Sequence, residues 1–189
     1  MRRILGLLTL GILISVASGC GTLTNHVSPK YLSATDITLA DKGIVIFSTG
    51  APERCTTKAT FIRVFDLQTK ELVKGVSSIS VDASAVKSEF EDHHGAVSAL
   101  SLPAGQYYIS PIIAHPHIVG VKIPKFSFEV TAGQTTYLGE LFMTRSCDLN
   151  TSFIVKDEFS RDMQMVLKEN GAFSRVVPVK RLLQSITDG

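Results

Sequence analysis

The sequence predicts a mainly β protein: an antiparallel β-sandwich followed by one C-terminal helix. Three observations carry that expectation. Short apolar or alternating runs recur between turn residues from Gly43 to Val155, the length and spacing of strands rather than helices. Helical periodicity occurs once, after residue 157. Strands do not alternate with helical segments, which argues against a parallel α/β fold.

The elements follow in order. Gly43–Thr49 (GIVIFST) is a compact, β-branched apolar run and reads as a buried strand. Ala59–Phe65 (ATFIRVF) alternates, with Ile62 and Val64 on one face and Phe61, Arg63 and Phe65 on a partly buried one. Asp66–Lys70 reads as a hairpin turn into Glu71–Gly75, and Ser78–Ala83 as a further short strand. Ser84–His94 is polar and reads as a long loop, pinned to the core by Val86 and Phe90. Val97–Leu102 and Gln106–Ile113 are joined by Pro103-Ala104-Gly105, where proline presets φ and glycine permits a positive one. Pro111 and Pro116 demote the end of the second run to an edge or an irregular exit. Ile118–Ile123, Phe126–Thr131, Thr135–Met143 and Asn150–Val155 complete the strands, with a turn at Ala132-Gly133-Gln134. Arg161–Asn170 is then a helix, with Ser160 as N-cap, Asp162 at its positive start, Gly171 at C′, and Met163, Val166 and Leu167 on its apolar face. Val176–Leu183 is a short extended piece.

Leu102-Pro103-Ala104-Gly105-Gln106-Tyr107-Tyr108-Ile109, with Phe128-Glu129-Val130 and Ala132-Gly133-Gln134-Thr135-Thr136-Tyr137, resembles the paired strands of prealbumin-like (transthyretin-like) modules. The resemblance spans roughly Gly43 to Val155 and implies a seven-stranded sandwich, similar to small bacterial lipoproteins with a helix after the sandwich. Its motifs are turn and core signals and imply no activity.

The first nineteen residues read differently. Arg2 and Arg3 precede an apolar run from Ile4 to Val16, and Ala17-Ser18-Gly19 leads into Cys20. About 13 apolar residues are too few to span a bilayer, which needs about 20, so this is a secretory signal peptide. Val16–Cys20 resembles a bacterial lipobox, with Ala17 where leucine is commonest. That resemblance implies cleavage before Cys20 and acylation of its thiol and amine, so that the membrane is reached through a lipid anchor. Gly21, which is not the aspartate of inner-membrane retention, implies the outer membrane in a Gram-negative host. The expected organisation is residues 1–19 signal peptide, 20–40 lipidated cysteine and tether, 41–156 β-sandwich, and 157–189 helix and tail.

Charge excludes one partner class. Loss of Arg2 and Arg3 reduces the 19 basic residues to the number of acidic ones, 17, and no Lys/Arg cluster marks a nucleic-acid surface. With Cys20 assigned to lipid, Cys55 and Cys147 form an expected disulfide in an oxidising compartment, the alternative being two free thiols.

Candidate chemistry is sparse. His93 and His94, with Asp92 or Glu91, and His115 and His117 would bind zinc or copper if their two loops met at one end of the sandwich. Four solvated surface histidines are the simpler reading. No G-x-S-x-G is present, and Glu89/Glu91 and Asp157/Glu158 read as ordinary loop and helix-start charges. Phe61, Phe65, Phe126, Phe128, Tyr107, Tyr108, Tyr137 and Phe142 read as core, and Arg175, Lys180 and Arg181 as a solvated basic end. The expectation is a non-enzymatic binding or structural module of the cell envelope, without a cofactor, that presents its sandwich or an open strand edge to an envelope protein.

Overall fold

The computed structural model describes residues 27–38, 40–115, 117 and 123–186. Nine of the ten residues of β1 (Lys42–Ala51) are buried, because this strand lies at the centre of a sheet covered on both faces. β1 pairs antiparallel with β4 (His94–Pro103) and parallel with β7 (Thr135–Met143). The far edge of β7 is shared by β8 (Phe153–Lys156), opposite Glu140–Met143, and β9 (Val179–Lys180), opposite Thr136–Tyr137. The second sheet has the order β10 (Gln184–Ile186), β6 (Lys125–Val130), β5 (Gly105–Ala114), β2 (Ala59–Asp66), β3 (Ile79–Ser80), all antiparallel.

The two sheets face one another in a sandwich-like arrangement. Val45, Phe47, Leu138 and Leu141 from the first meet Ile62, Val64, Ile109 and Phe126 from the second in one apolar core. β2 alternates as its sequence requires, with Ile62 and Val64 inward and Arg63 exposed. On the outer face of the first sheet, Ile44, Ile46, Val97 and Ala99 form a second core with Met163 and Val166 of α2 (Phe159–Glu169) and with Phe173. The molecule therefore has three layers, two sheets and a helical cover.

Several expectations change in detail. Ser78–Ala83 contributes only the two residues of β3, and Glu71–Gly75 meets β2 through a single bridge, Phe65 to Leu72. The helix begins two residues earlier than expected, so Ser160 lies within it and Glu158 holds the cap position. Leu167 is exposed whereas Asp162 is fully buried, so the covered helical stripe is rotated toward a charge. The expected strand Ile118–Ile123 lies almost entirely outside the described residues.

The segment expected to be a tether is part of the fold from Val27 onward. Val27 is buried, a 3-10 turn covers Pro29–Tyr31, and α1 (Ala34–Thr38) follows, with Ser33 capping Asp36. This segment covers the free edge of β4. Ala99 donates its N–H to the Val27 carbonyl at 2.7 Å, Val97 to Glu89 Oε2 at 2.9 Å, and Gly95 to Ser88 Oγ at 3.1 Å. Edge amides satisfied in this way cannot template another strand. At the C-terminal end of α2, Asn170 Nδ2 donates to the carbonyls of Pro29 and Leu32, and Ser28 Oγ donates to Glu169.

Cys55 and Cys147 are joined, with Cα atoms 5.3 Å apart. The bond ties the connection after β1 to the loop after β7. The same loops are laced by Glu53 N–H to Ser146 Oγ, Ser146 Oγ to the Glu53 carbonyl, and Lys58 Nζ to the Asp148 carbonyl. Closing 92 residues corresponds to about 4–5 kcal/mol of unfolded-state entropy. Thermal melts with and without reductant should therefore differ by a stability of that order. An unchanged midpoint on reduction would show that the hydrogen-bonded lacing alone holds the two loops.

Candidate functional site

A glutamate lies in the middle of the apolar strand β7, and one inserted residue decides where it faces. Ile46 pairs with Tyr137 but Ser48 pairs with Glu140, so β7 advances three residues while β1 advances two. Gly139 takes the extra position at φ +93°, a conformation that suits glycine. A Cβ there would stand 2.8 Å from the Lys156 carbonyl oxygen. Without the bulge, the period of two would turn Glu140 into the dry core between the sheets. With it, Tyr137 and Glu140 both face the helical layer.

Glu140 and Asp162 are both fully buried, and cations and hydroxyls converge on them. Glu140 Oε1 meets His93 Nε2 at 2.8 Å and Arg161 Nη2 at 3.1 Å, and Lys156 Nζ lies 3.6 Å from Oε2. Asp162 Oδ2 accepts from Ser48 Oγ at 2.6 Å and from Tyr137 OH at 2.8 Å, and its Oδ1 accepts from Arg161 Nε at 2.9 Å. Arg161 also donates to Ser48 Oγ and stacks its guanidinium 3.9 Å over the Phe90 ring. Lys156 Nζ lies 3.1 Å over the Phe142 ring. The other ring nitrogen of His93, Nδ1, meets Asp92 Oδ1 at 2.7 Å.

The electrostatics follow from these contacts. Burial works against the Arg161 charge, but Asp162 and Glu140 together outweigh it and hold its pKa above the usual arginine value. Burial, with the Asp162 carboxylate beside it, pushes the Tyr137 phenol far up, so it donates its hydrogen bond and does not act as an acid. The His93 hydrogen bond holds Asp92 below the ordinary aspartate range. The cluster is tightly packed, and one oxygen, Glu140 Oε2, has no hydrogen-bond partner among the described residues and only the Lys156 ammonium nearby, at 3.6 Å. A Cβ on Gly50 would already lie 2.5 Å from Glu140 Oε1 and 3.0 Å from His93 Nε2. The cluster is a brace that fixes α2 on the sheet, with Arg161 and Asp162 from the helix and Ser48, Tyr137 and Glu140 from the strands.

The four histidines are not brought together, and His93 and His94 are buried rather than solvated. His93 and His94 are neighbours at the start of β4 and make separate contacts: His93 turns to Glu140, and His94 is buried against the Ala83 carbonyl and Asp82. His115 and His117 follow β5 in the other sheet and contact one another, their ring centres 5.9 Å apart. Among the described residues, no group of three or more His, Cys, Asp or Glu side chains is placed to hold a metal ion. Cys20 lies outside the described residues. Of the basic end, Lys180 pairs with Asp157 at 2.7 Å and Arg181 with Glu129 at 3.4 Å.

Sequence reasoning missed Glu140, Arg161, Asp162 and Ser48. The one available signal was a Gly-Glu pair inside TTYLGELFM, where a charge interrupts an otherwise buried strand. Two open clefts lie among the described residues. One of about 450 Å³ runs beside β6 and β10, with Gln106, Ser127 and Arg181 on its walls. The other, of about 600 Å³, lies between the Ser28–Tyr31 segment, the 85–89 loop and α2. No protein-family model and no curated protein sequence matches this chain.

Removing one member of a buried ion cluster leaves its partners uncompensated, at a cost of about 3–5 kcal/mol. Glu140→Leu and Arg161→Leu should each lower stability by that amount in urea unfolding. The double variant should lose less than the two singles added together; simple additivity would show that the two side chains are not coupled.

His94 supplies a pH dependence. Burial lowers its pKa, against the opposing pull of Asp82 and the Ala83 carbonyl. A histidine depressed in the folded state contributes stability above its unfolded value of about 6.5. That stability is lost as pH falls through the folded value. The melting temperature should therefore drop on acidification below pH ~6.5, and His94→Gln should flatten that part of the profile. An unaltered slope in the variant would remove His94 from the account.

Proposed function

We propose that the chain is a lipoprotein of the cell envelope whose folded domain is a non-catalytic binding or structural module, held at a membrane by acylated Cys20. The observation that carries this reading is the partition of the three cysteines. Cys55 and Cys147 are bonded to one another, so Cys20, preceded by Ala-Ser-Gly, is left as the single available thiol. A structural disulfide also suits export to an oxidising compartment. Among the described residues, no helix is long and apolar enough to cross a membrane, so attachment in this reading rests on the acyl groups. Two or more chains anchor stably where one does not. Gly21 after the cysteine favours the outer membrane of a Gram-negative host.

The finer fold assignment belongs to the same proposal. The L-P-x-G-x-Y strand and its partner correspond to β5 and β6, which pair through Tyr107–Phe128 and Ile109–Phe126, in keeping with a prealbumin-like sandwich. The non-catalytic reading is supported by the buried cluster, in which Arg161 pairs with both carboxylates and His93 with Glu140. A protein partner in the envelope remains the expected target. The covered edge of β4 favours recognition through a face rather than through strand addition there.

The test is intact mass of the protein recovered from its native membrane fraction, before and after reduction and thiol alkylation. The expected mass is that of residues 20–189 plus lipid, with two thiols labelled only after reduction. Cys20→Ser should leave the chain unprocessed and unacylated. Recovery of wild-type chain that still carries its first nineteen residues, or lacks lipid, would overturn the proposal.

A further inference from the structure

The domain starts close to the proposed anchor, which limits which of its surfaces can face the membrane. Cys20 and the buried Val27 are seven residues apart, a reach of at most about 25 Å even when fully extended. That is comparable to the radius of a domain this size, so Val27 stays within about 25 Å of the bilayer. The 600 Å³ cleft is lined from Ser28, the next residue. Lys30, Lys87 and Lys168 stand exposed around it, and Tyr31 beside Lys30 is 48% exposed. Lys30 Nζ lies 5.0 Å from the Tyr31 ring centre.

Two carboxylates also line the cleft, outnumbered by the three lysines, and each accepts a hydrogen bond. Glu89 accepts the Val97 N–H and Glu169 accepts from Ser28 Oγ. Burial raises the Glu89 pKa, against the Val97 hydrogen bond and the Lys30 charge, which lower it. Among the described residues, none of the three lysine ammoniums is within ion-pair distance of a carboxylate. A lysine rim with an aromatic at its edge is the composition that seats on phosphate headgroups, basic groups on the anionic surface and the tyrosine at the interface.

We infer that this cleft face, with Lys30, Lys87 and Lys168 at its rim, is a docking surface for the anionic phospholipid headgroups of the membrane that holds Cys20. The inference rests on the lipoprotein reading. It adds an orientation: α2 and the Pro29–Tyr31 turn lie toward the lipid, and the second sheet lies away from it.

The test is lysine acetylation footprinting of the native lipidated protein. It is carried out in vesicles of phosphatidylcholine with phosphatidylglycerol and, for comparison, in phosphatidylcholine alone. Labelling of Lys30, Lys87 and Lys168 should slow about fivefold in the anionic vesicles, the size of a one-charge headgroup contact. Lys74, in the turn after β2, should label at the same rate in both. The variant K30E/K87E/K168E, verified by intact mass to retain its lipid, should lose the difference between vesicles at Tyr31, whose phenol the same reagent acetylates, normalised to Lys74. Equal labelling of the three lysines in both vesicles, on protein whose mass includes the lipid, would overturn the docking surface and leave the lipoprotein reading standing. A Cys20 that carries no lipid would overturn both.

Discussion

Two carboxylates, Glu140 and Asp162, lie out of water between a sheet and a helix, and much of the architecture answers to their burial. The bulge at Gly139 turns Glu140 to the helical side. Gly50 leaves room for its oxygen and for the His93 ring. Arg161 spans both acids and is pressed against Phe90, and Lys156 reaches in from β8. An apolar stripe alone lets a helix slide or rotate on a sheet. Hydrogen bonds with fixed partners do not, and this cluster sets where α2 sits and how it is rotated. The exposure of Leu167 beside a buried Asp162 follows from that rotation.

The helix in turn fixes the start of the domain. Asn170 and Glu169 at its end hold the Ser28–Leu32 segment, and that segment covers the open side of β4 together with Ser88 and Glu89. Brace, helix, N-terminal segment and strand edge form one connected chain of contacts. The disulfide lies just beyond the Ala51 end of β1, where it ties the loops that follow β1 and β7.

The strands were legible where the sequence period matched a simple environment. Thr135–Met143 was delimited to the residue, and the alternation of β2 gave its buried face correctly, because side-chain period and burial agree there. The short strands β3, β9 and β10 were harder to place, since two or three residues carry no period. The brace was not legible at all. A buried charge looks like a surface charge until its partners are known, and those partners are 21 to 47 residues distant for Arg161 and His93 against Glu140. Asp162 does lie in the first turn of α2, as expected, but that local explanation was sufficient by itself, and nothing local reveals Tyr137 and Ser48 above it. The Val27 segment was polar enough to pass for a linker because its role is to supply backbone carbonyls, which no side-chain pattern records.

The parallel pairing of β1 with β7 has a kinetic consequence. Ile44 cannot meet Thr135 until the whole intervening chain is present, so the central sheet is assembled late and over a long loop. Such non-local pairings slow folding, because the loop must close before any contact rewards it. The Cys55–Cys147 bond closes nearly the same loop as that pairing. Once oxidised, the chain begins its search with those ends already together, and the covalent link serves as a template for that long-range strand pairing as well as a clamp on the finished one.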